Sequence, residues 1–358
     1  MKKLLFLIGT RPEVIKIAPL IRACRQKKSF DTHLCTSGQH STLLTDALTD
    51  AALTPDTRFS LEGTLSQKTA CCLTCFEDIL KKEAPDAVAV HGDTLTAFSG
   101  AVAAFYHRIP VFHVEAGLRA PSVYAPFPEE FYRRSIDSLS TLCFAPTEHA
   151  AKRLYREGKP STAVHIVGNT VLDTLSSDLS HSFSSPFIKK GKKLILMTLH
   201  RRETQGEDAR GICEGVKQAL TAREDAYLLF PVHPSPHVRE TVFSVLDGAE
   251  NITLLPPLDR RTFRNLLATA TLVLTDSGGV SEEATALGIP TLLLREVTER
   301  TEGVTAGVLY PVGIRSANIL TAVTDFLDHP RKRHPSTVFG TGNASEQIAD
   351  LIEKFFLK

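Results

Sequence analysis

The sequence carries almost no excess charge: 41 Lys and Arg against 40 Asp and Glu give a formal +1 over 358 residues. That balance excludes the general basic field expected where nucleic acid is the partner, and there is no acidic tail. Long apolar runs are missing too. No stretch approaches the ~18 residues that a membrane helix needs, so no membrane partner is expected. The opening MKKLLFLI offers two lysines and an apolar run. That run is only five residues, Leu4 to Ile8, and no small-residue cleavage site follows. The expected location is the cytoplasm. Low-complexity tracts and repeats of roughly 20–50 residues are absent as well.

The seven cysteines lack a metal-site pattern. Cys24, Cys35, Cys143 and Cys213 are scattered singly. Cys72 and Cys75 form one C-x-x-C beside Cys71, with no second C-x-x-C or His pair to complete it. The segment SQKTACCLTCFEDILKK reads as an amphipathic helix, so core thiols in a reducing compartment are expected rather than a metal. The G-x-G-x-x-G fingerprint and the P-loop are not found, which points away from NAD and ATP as cofactors.

What is present is alternation. Apolar content is 42% and charged content 23%, the balance of an ordinary globular protein. Short apolar runs alternate with helix-length amphipathic segments, six runs in each half. In the first half they are Leu4–Ile8, His33–Thr36, Ala87–His91, Val111–Val114, Leu142–Ala145 and Val164–Val167. In the second they are Leu194–Thr198, Tyr227–Val232, Ile252–Leu255, Leu272–Thr275, Thr291–Leu294 and Val308–Pro311. The pattern predicts an α/β chain of two Rossmann-like, doubly wound domains with parallel sheets, facing a cleft. The seam is placed between Asn169 and Lys193, in a Ser-, Lys- and Pro-rich stretch, giving domains 1–170 and 171–358. A last helix near 344–356 belongs to the second domain, and its return to the first is left open.

In open α/β sheets ligands bind at the carboxyl ends of strands, so chemistry is sought there. GTRPEV follows the first run. Thr10 with Glu13 matches a capping box, Pro12 suits a first helical turn, and Arg11 and Lys16 add positive charge to a helix N-terminus. His91 and Asp93 follow the third run, and His113, Glu115 and Arg119 the fourth. Glu129, Glu130 and Arg133 come next in PFPEEFYRR. A single carboxylate there is most simply a helix cap, but Asp93 and Glu115 behind neighbouring runs also suit an acid–base pair. In the second half His200 and His233 end strands. LTDSGGVSEEA sets Ser277, Gly278 and Gly279 ahead of a helix, the pattern of a phosphate cradle. Glu282 and Glu283 beside it would repel phosphate but suit the hydroxyls of a sugar, which suggests a nucleotide.

These segments resemble the bacterial non-hydrolysing UDP-N-acetylglucosamine 2-epimerases. GTRPEVIKIAPL, SGQH, VHGDT, HVEAGLR, PFPEE, APTEHAAKRL, VGNTVLDTL, TLHRRE, PVHPSP, LTDSGGVSEEA and TERTEG occur in the family's order. The resemblance implies a GT-B architecture and inversion at C2 of UDP-GlcNAc, giving UDP-ManNAc. UDP is eliminated to leave 2-acetamidoglucal and then re-added, with no redox or metal cofactor. It places Asp93, Glu115, Glu129 and His200 at catalytic positions. Arg11 and Lys16 fall near the diphosphate and sugar, Ser277, Gly278 and Gly279 in the phosphate cradle, and Glu283 on the ribose. Arg133 and Arg300 fall at further nucleotide positions, with Phe263 by the uracil. His233 is a further substrate-binding candidate. A homodimer is implied, and so is a role in surface-polysaccharide synthesis.

Three positions depart from the family's pattern: Thr204 after HRRE, Tyr132 after PEE, and Thr301 in TERTE. They leave room for another UDP-2-acetamido sugar. A UDP-GlcNAc glycosyltransferase, a hydrolysing epimerase and a non-catalytic nucleotide-sugar regulator remain open alternatives.

Many relatives are activated by their own substrate at a second site, which draws on residues after GQH and on an Arg-Gln pair. Gln39 and His40 are kept, but the pair reads Ser66–Gln67 here. Serine cannot supply the two-pronged phosphate grip of arginine. Weak or absent activation is therefore expected: conversion of UDP-ManNAc should start without a lag. A long lag abolished by a trace of UDP-GlcNAc would show that the second site survives.

Overall fold

The computed structural model describes residues 1–38, 42–180, 182–199, 206–221 and 223–357. Gln39, His40 and His200 lie outside these residues. Among the described residues the strands form two parallel sheets. The first contains β1 (Lys2–Ile8), β2 (Phe30–Ser37), β3 (Thr57–Phe59), β4 (Ala87–His91), β5 (Val111–Val114), β6 (Leu142–Ala145) and β7 (Val164–Ile166), in the order β3-β2-β1-β4-β5-β6-β7. The second contains β8 (Lys193–Thr198), β9 (Ala226–Pro231), β10 (Ile252–Leu255), β11 (Leu272–Thr275), β12 (Thr291–Leu293) and β13 (Leu309–Pro311), in the order β10-β9-β8-β11-β12-β13. Each is a doubly wound sheet in which the strand order reverses once.

Two-sided burial explains the continuous apolar runs. Along β1, Leu4, Phe6 and Ile8 pack on one face with Val14, Ile17 and Ile21 of the helix Arg11–Gln26. Leu5 and Leu7 pack on the other with Phe76, Ala101 and Ile136. Each fully buried large apolar side chain contributes about 1.5–3 kcal/mol relative to exposure. In β8, Ile195 and Met197 divide from Leu194 and Leu196 in the same way. β3 has no counterpart among the predicted runs. It is three residues long at a sheet edge, with one apolar residue and no fully buried position, too little to show as a run.

The chain separates into two units, Met1–Asp173 with the segment from Gly340 onward, and Thr174–Phe339. The expected boundaries need correction: the first unit reaches Asp173 rather than residue 170, and the second ends at Phe339. The cause is the helix Ala344–Phe356. Its Ile348, Ala349 and Ile352 are buried among the β1 and Arg11–Gln26 side chains. The Asp173 carboxylate accepts from its first N–H groups, Ala344 at 3.0 Å and Ser345 at 2.7 Å. Lys27 Nζ pairs with Asp350 and Glu353, both at 2.7 Å.

In the first unit the strand order reverses between β1 and β4. The helix after β1 covers one face, and the helix Leu95–Tyr106 after β4 covers the other. The two chain segments therefore diverge as they leave the sheet, and Glu13 ties them together. Its Oε2 accepts from the Gly9 N–H at 3.0 Å and the Thr10 hydroxyl at 2.8 Å, and its Oε1 from the Thr94 hydroxyl at 2.7 Å. The capping box expected of Thr10 and Glu13 does not form, because the Thr10 hydroxyl donates to Glu13 and caps no helix N–H. Gly9 permits this junction: a Cβ there would lie 2.0 Å from Thr96 Oγ1.

Glu13 is 2% exposed. Burial pushes its carboxyl up to about 7, against the opposing pull of its hydrogen bonds. The folded state then holds this proton more tightly than the unfolded chain. Its contribution, up to about 3 kcal/mol, is present at low pH and is lost as pH rises from ~4.5 through about 7. Glu13→Gln cannot titrate and can still bridge the same groups. Melting temperature should therefore fall more steeply between pH ~5 and ~7.5 in the wild type than in Glu13→Gln. Parallel slopes would assign the pH dependence elsewhere.

Candidate active site

Charged side chains of the first unit converge on the carboxyl ends of β1, β4 and β5. Glu115 follows β5 directly, in the left-handed conformation with φ 69°. That conformation is uncommon for a residue with a Cβ and costs roughly 1–2 kcal/mol. The N–H groups of Glu115 and Ala116 both donate to the Phe144 carbonyl at 3.1 Å, which fixes the turn. Glu115 Oε1 accepts from Lys16 Nζ at 2.6 Å and from Asn169 Nδ2 at 2.9 Å. The carboxylate and ammonium are only 8% and 11% exposed, so the pair is held in a low dielectric with an extra donor.

Asp93 follows β4 and pairs with Arg133 Nη2 from the helix Glu129–Leu139. Arg133 also reaches Glu130 Oε2 at 3.3 Å. Glu130 has a structural position. It is fully buried and accepts from the Ala120 N–H at 2.9 Å and from Arg134 Nε at 2.6 Å. Glu129 is the half-buried member of the adjacent pair, on the first turn of the same helix. Arg11 is half-buried at the first position of the helix after β1. Lys16 thus joins Glu115, and Arg133 joins Asp93 within the first unit.

Two histidines line this region. His113 on β5 is completely buried, with Nδ1 2.7 Å from Asp137 Oδ1 and Nε2 2.7 Å from the Gly92 carbonyl. The two contacts hold the ring in one orientation between Asp137 and the Gly92 backbone. Burial would raise the Asp137 carboxyl, but His113 and Arg119 outweigh it and hold it low. The result is a fixed brace under Gly92, the residue before Asp93. His91, at the end of β4, is also buried. Burial pushes its ring down to about 4, so it is neutral near pH 7. Asn169 and Asp137 carry this arrangement without having been singled out, although Asn169 lies within VGNTVLDTL; His91 was noted at its strand end without a role.

In the second unit Ser277 caps the helix Gly278–Leu287 after β11, its hydroxyl accepting from the Val280 N–H at 3.5 Å. Thr198 and Thr275 join the ends of β8 and β11 through their hydroxyls at 2.6 Å. Gly278 lies close under Arg300: a Cβ there would stand 2.5 Å from the guanidinium carbon, so any larger residue would displace that side chain. Gly279 faces open space among the described residues. Helix-end N–H groups beside an open glycine suit an anion.

Both acidic residues on that helix are paired with arginine. Glu283 Oε1 accepts from Arg264 Nε and Nη2 at 3.0 and 2.6 Å, and Arg264 also binds Asp178 at 2.6 Å. Burial raises the Glu283 carboxyl, offset in part by Arg264. Glu282 accepts from Arg300 Nε at 3.0 Å. Phe263 is partly buried against the second unit's core, one position before Arg264 in the same helix. His233 follows β9, and its Nδ1 accepts from the Ser235 N–H at 3.2 Å. Arg264 gave no signal in the sequence, because nothing local marks a helix arginine as the partner of a carboxylate 19 residues on.

Residues 22–353 match the family model described as UDP-N-acetylglucosamine 2-epimerase. The Bacillus subtilis protein of that name is 37% identical over 97% of this chain and 94% of its own length. Among solved structures, the S. aureus MnaA–UDP complex superimposes with a TM-score of 0.95 at 40% identity, covering 100% of this chain and 97% of that one. The Neisseria meningitidis UDP-GlcNAc 2-epimerase bound to UDP-GlcNAc gives 0.93 at 35%, covering 98% and 100%. The two doubly wound units are the GT-B type of architecture seen in these neighbours. By sequence and fold together, the chain belongs to the UDP-N-acetylglucosamine 2-epimerase family.

Proposed function

We propose that the protein is a non-hydrolysing isomerase that interconverts UDP-GlcNAc and UDP-ManNAc. The observation that carries this reading is the placement of Lys16–Glu115 and Asp93–Arg133 at the strand ends flanking a topological switch point, in a chain of this family. Epimerisation at C2 starts with loss of the C2 proton to a carboxylate. The C1–O bond breaks with its electron pair going to UDP, and the C1–C2 double bond of 2-acetamidoglucal forms. UDP then returns to C1 while a proton is delivered to the opposite face of C2. Two protic groups with different environments suit this two-face requirement. Asp93, Glu115 and Glu129 are the candidates, with His200 added by resemblance.

In the second unit, Ser277, Gly278 and Gly279 offer fixed N–H donors to the diphosphate, where negative charge grows as UDP departs. Glu283, steadied by Arg264, accepts from ribose hydroxyls, and Phe263 lies by the uracil. Arg11 adds positive charge for the diphosphate or sugar, while Arg133 and Arg300 hold carboxylates in place. His233 is a further contact for the substrate. A cytoplasmic homodimer supplying polysaccharide synthesis is part of the same reading.

The test is incubation with UDP-GlcNAc alone in deuterated water. UDP-ManNAc carrying deuterium at C2 is expected. Net release of UDP and free ManNAc would instead indicate hydrolysis, and dependence on an acceptor would indicate glycosyl transfer. Asp93→Asn, Glu115→Gln and Glu129→Gln should each lower turnover by roughly 10²–10⁴-fold with the fold intact. Near-normal turnover in all three would defeat the proposed site.

A further inference from the structure

The two oxygens of Glu115 have different surroundings. Oε1 receives two donors, the Lys16 ammonium and the Asn169 amide. An oxygen held by a cation and an N–H is the poorer place for a proton. Oε2 faces His91 Nε2 at 3.5 Å. His91 is 3% exposed, and its Nε2 has no hydrogen-bond partner among the described residues. A buried ring nitrogen left without a partner is destabilising, so its retention beside a working carboxylate calls for an explanation. The titratable groups that act on the ring are Glu115 and Asp93, Lys16 and His113. Burial outweighs the attraction of the two carboxylates, so the ring is neutral and able to present an acceptor.

Resting on the epimerase reading, we propose that His91 is a positioning residue for Glu115: its Nε2 accepts the hydrogen bond of the Glu115 carboxyl whenever that group is protonated on Oε2. In the reaction Glu115 passes between carboxylate and carboxylic acid as a C2 proton is taken or given. Lys16 and Asn169 stabilise the carboxylate. His91 offers an acceptor to the acid, and it fixes the oxygen that carries the proton. No proton leaves the carboxyl for the ring in this scheme; the bond orients it.

Two measurements test the inference. The first needs no turnover. In protein labelled with ¹⁵N at histidine, Nε2 of His91 should be the unprotonated ring nitrogen. Its signal should move as Glu115 takes up its proton, and that movement should vanish in Glu115→Ala. A proton fixed on Nε2 throughout, or a signal indifferent to Glu115, would overturn the proposal. The second is kinetic. His91→Leu should lower kcat about tenfold with KM changed less than about twofold, the scale of one lost hydrogen bond. His91→Gln, which restores an acceptor at the same reach, should recover most of it. Equal losses in both variants with lowered melting temperatures would reduce His91 to a packing role. Wild-type protein that leaves UDP-GlcNAc unchanged would sink the epimerase reading, while the ring measurement would still decide the His91–Glu115 contact.

Discussion

The reversal of strand order between β1 and β4 is the constraint on which the first unit's site depends. Adjacent strands whose next helices cover opposite faces must part at the sheet's edge, and the gap is lined by the residues that follow them. Gly9 lets the β1 end press against Thr96, and Glu13 binds the diverging segments through Gly9, Thr10 and Thr94. From this anchored junction, Arg11 and Lys16 leave on one side and Asp93 on the other. The His113–Asp137 brace under Gly92 limits movement of Asp93 from below. Position is thus fixed by residues that need not touch a substrate.

Buried charge is the second organising element. Lys16–Glu115, Arg133–Asp93, Arg264–Glu283 and Arg300–Glu282 are each largely withdrawn from water. Replacing such pairs with apolar groups is often neutral or stabilising in folding terms, so stability alone does not account for four of them. A reaction that moves a proton and departs with a diphosphate does account for charged groups held ready in a low dielectric. The strained backbone of Glu115 fits the same view, since conformational cost of that kind gathers where geometry must be enforced.

Much of the fold was legible because the sheets are parallel and buried on both faces. Each inner strand is then a continuous apolar run, and all twelve runs lie within three residues of an observed strand at either end, with Val111–Val114 and Ile252–Leu255 coinciding. β3 escaped because an edge strand of three residues buries little. The return of the last helix to the first unit stayed open because amphipathic periodicity gives a face and not its destination. At the site, Asp93, Glu115 and Ser277 could be found by their position after strands. His91 showed by the same rule, though its partner did not, and Asn169 and Arg264 could not be found, because hydrogen-bond partners far apart in sequence leave no spacing to read. Glu13 was read as a cap from its spacing to Thr10. The spacing was informative about proximity, and misleading about which group donates.

The two units share one architecture but furnish their switch points differently, and the difference follows from the proposed chemistry. Moving a proton requires groups whose charge changes, so the first unit uses carboxylates balanced by nearby cations. Such balance allows one carboxylate to be stabilised ionised and another to be poised for protonation, as their surroundings differ. Holding a diphosphate requires the opposite quality, donors whose charge never changes during the cycle. Backbone N–H groups at the start of the helix Gly278–Leu287 meet that need without titrating. Arg264 and Arg300 are committed to Glu283 and Glu282, where they hold the carboxylates in place. On the proposed chemistry one sheet topology serves both tasks, with the side chains behind β4 and β5 suited to the one and the bare backbone behind β11 to the other.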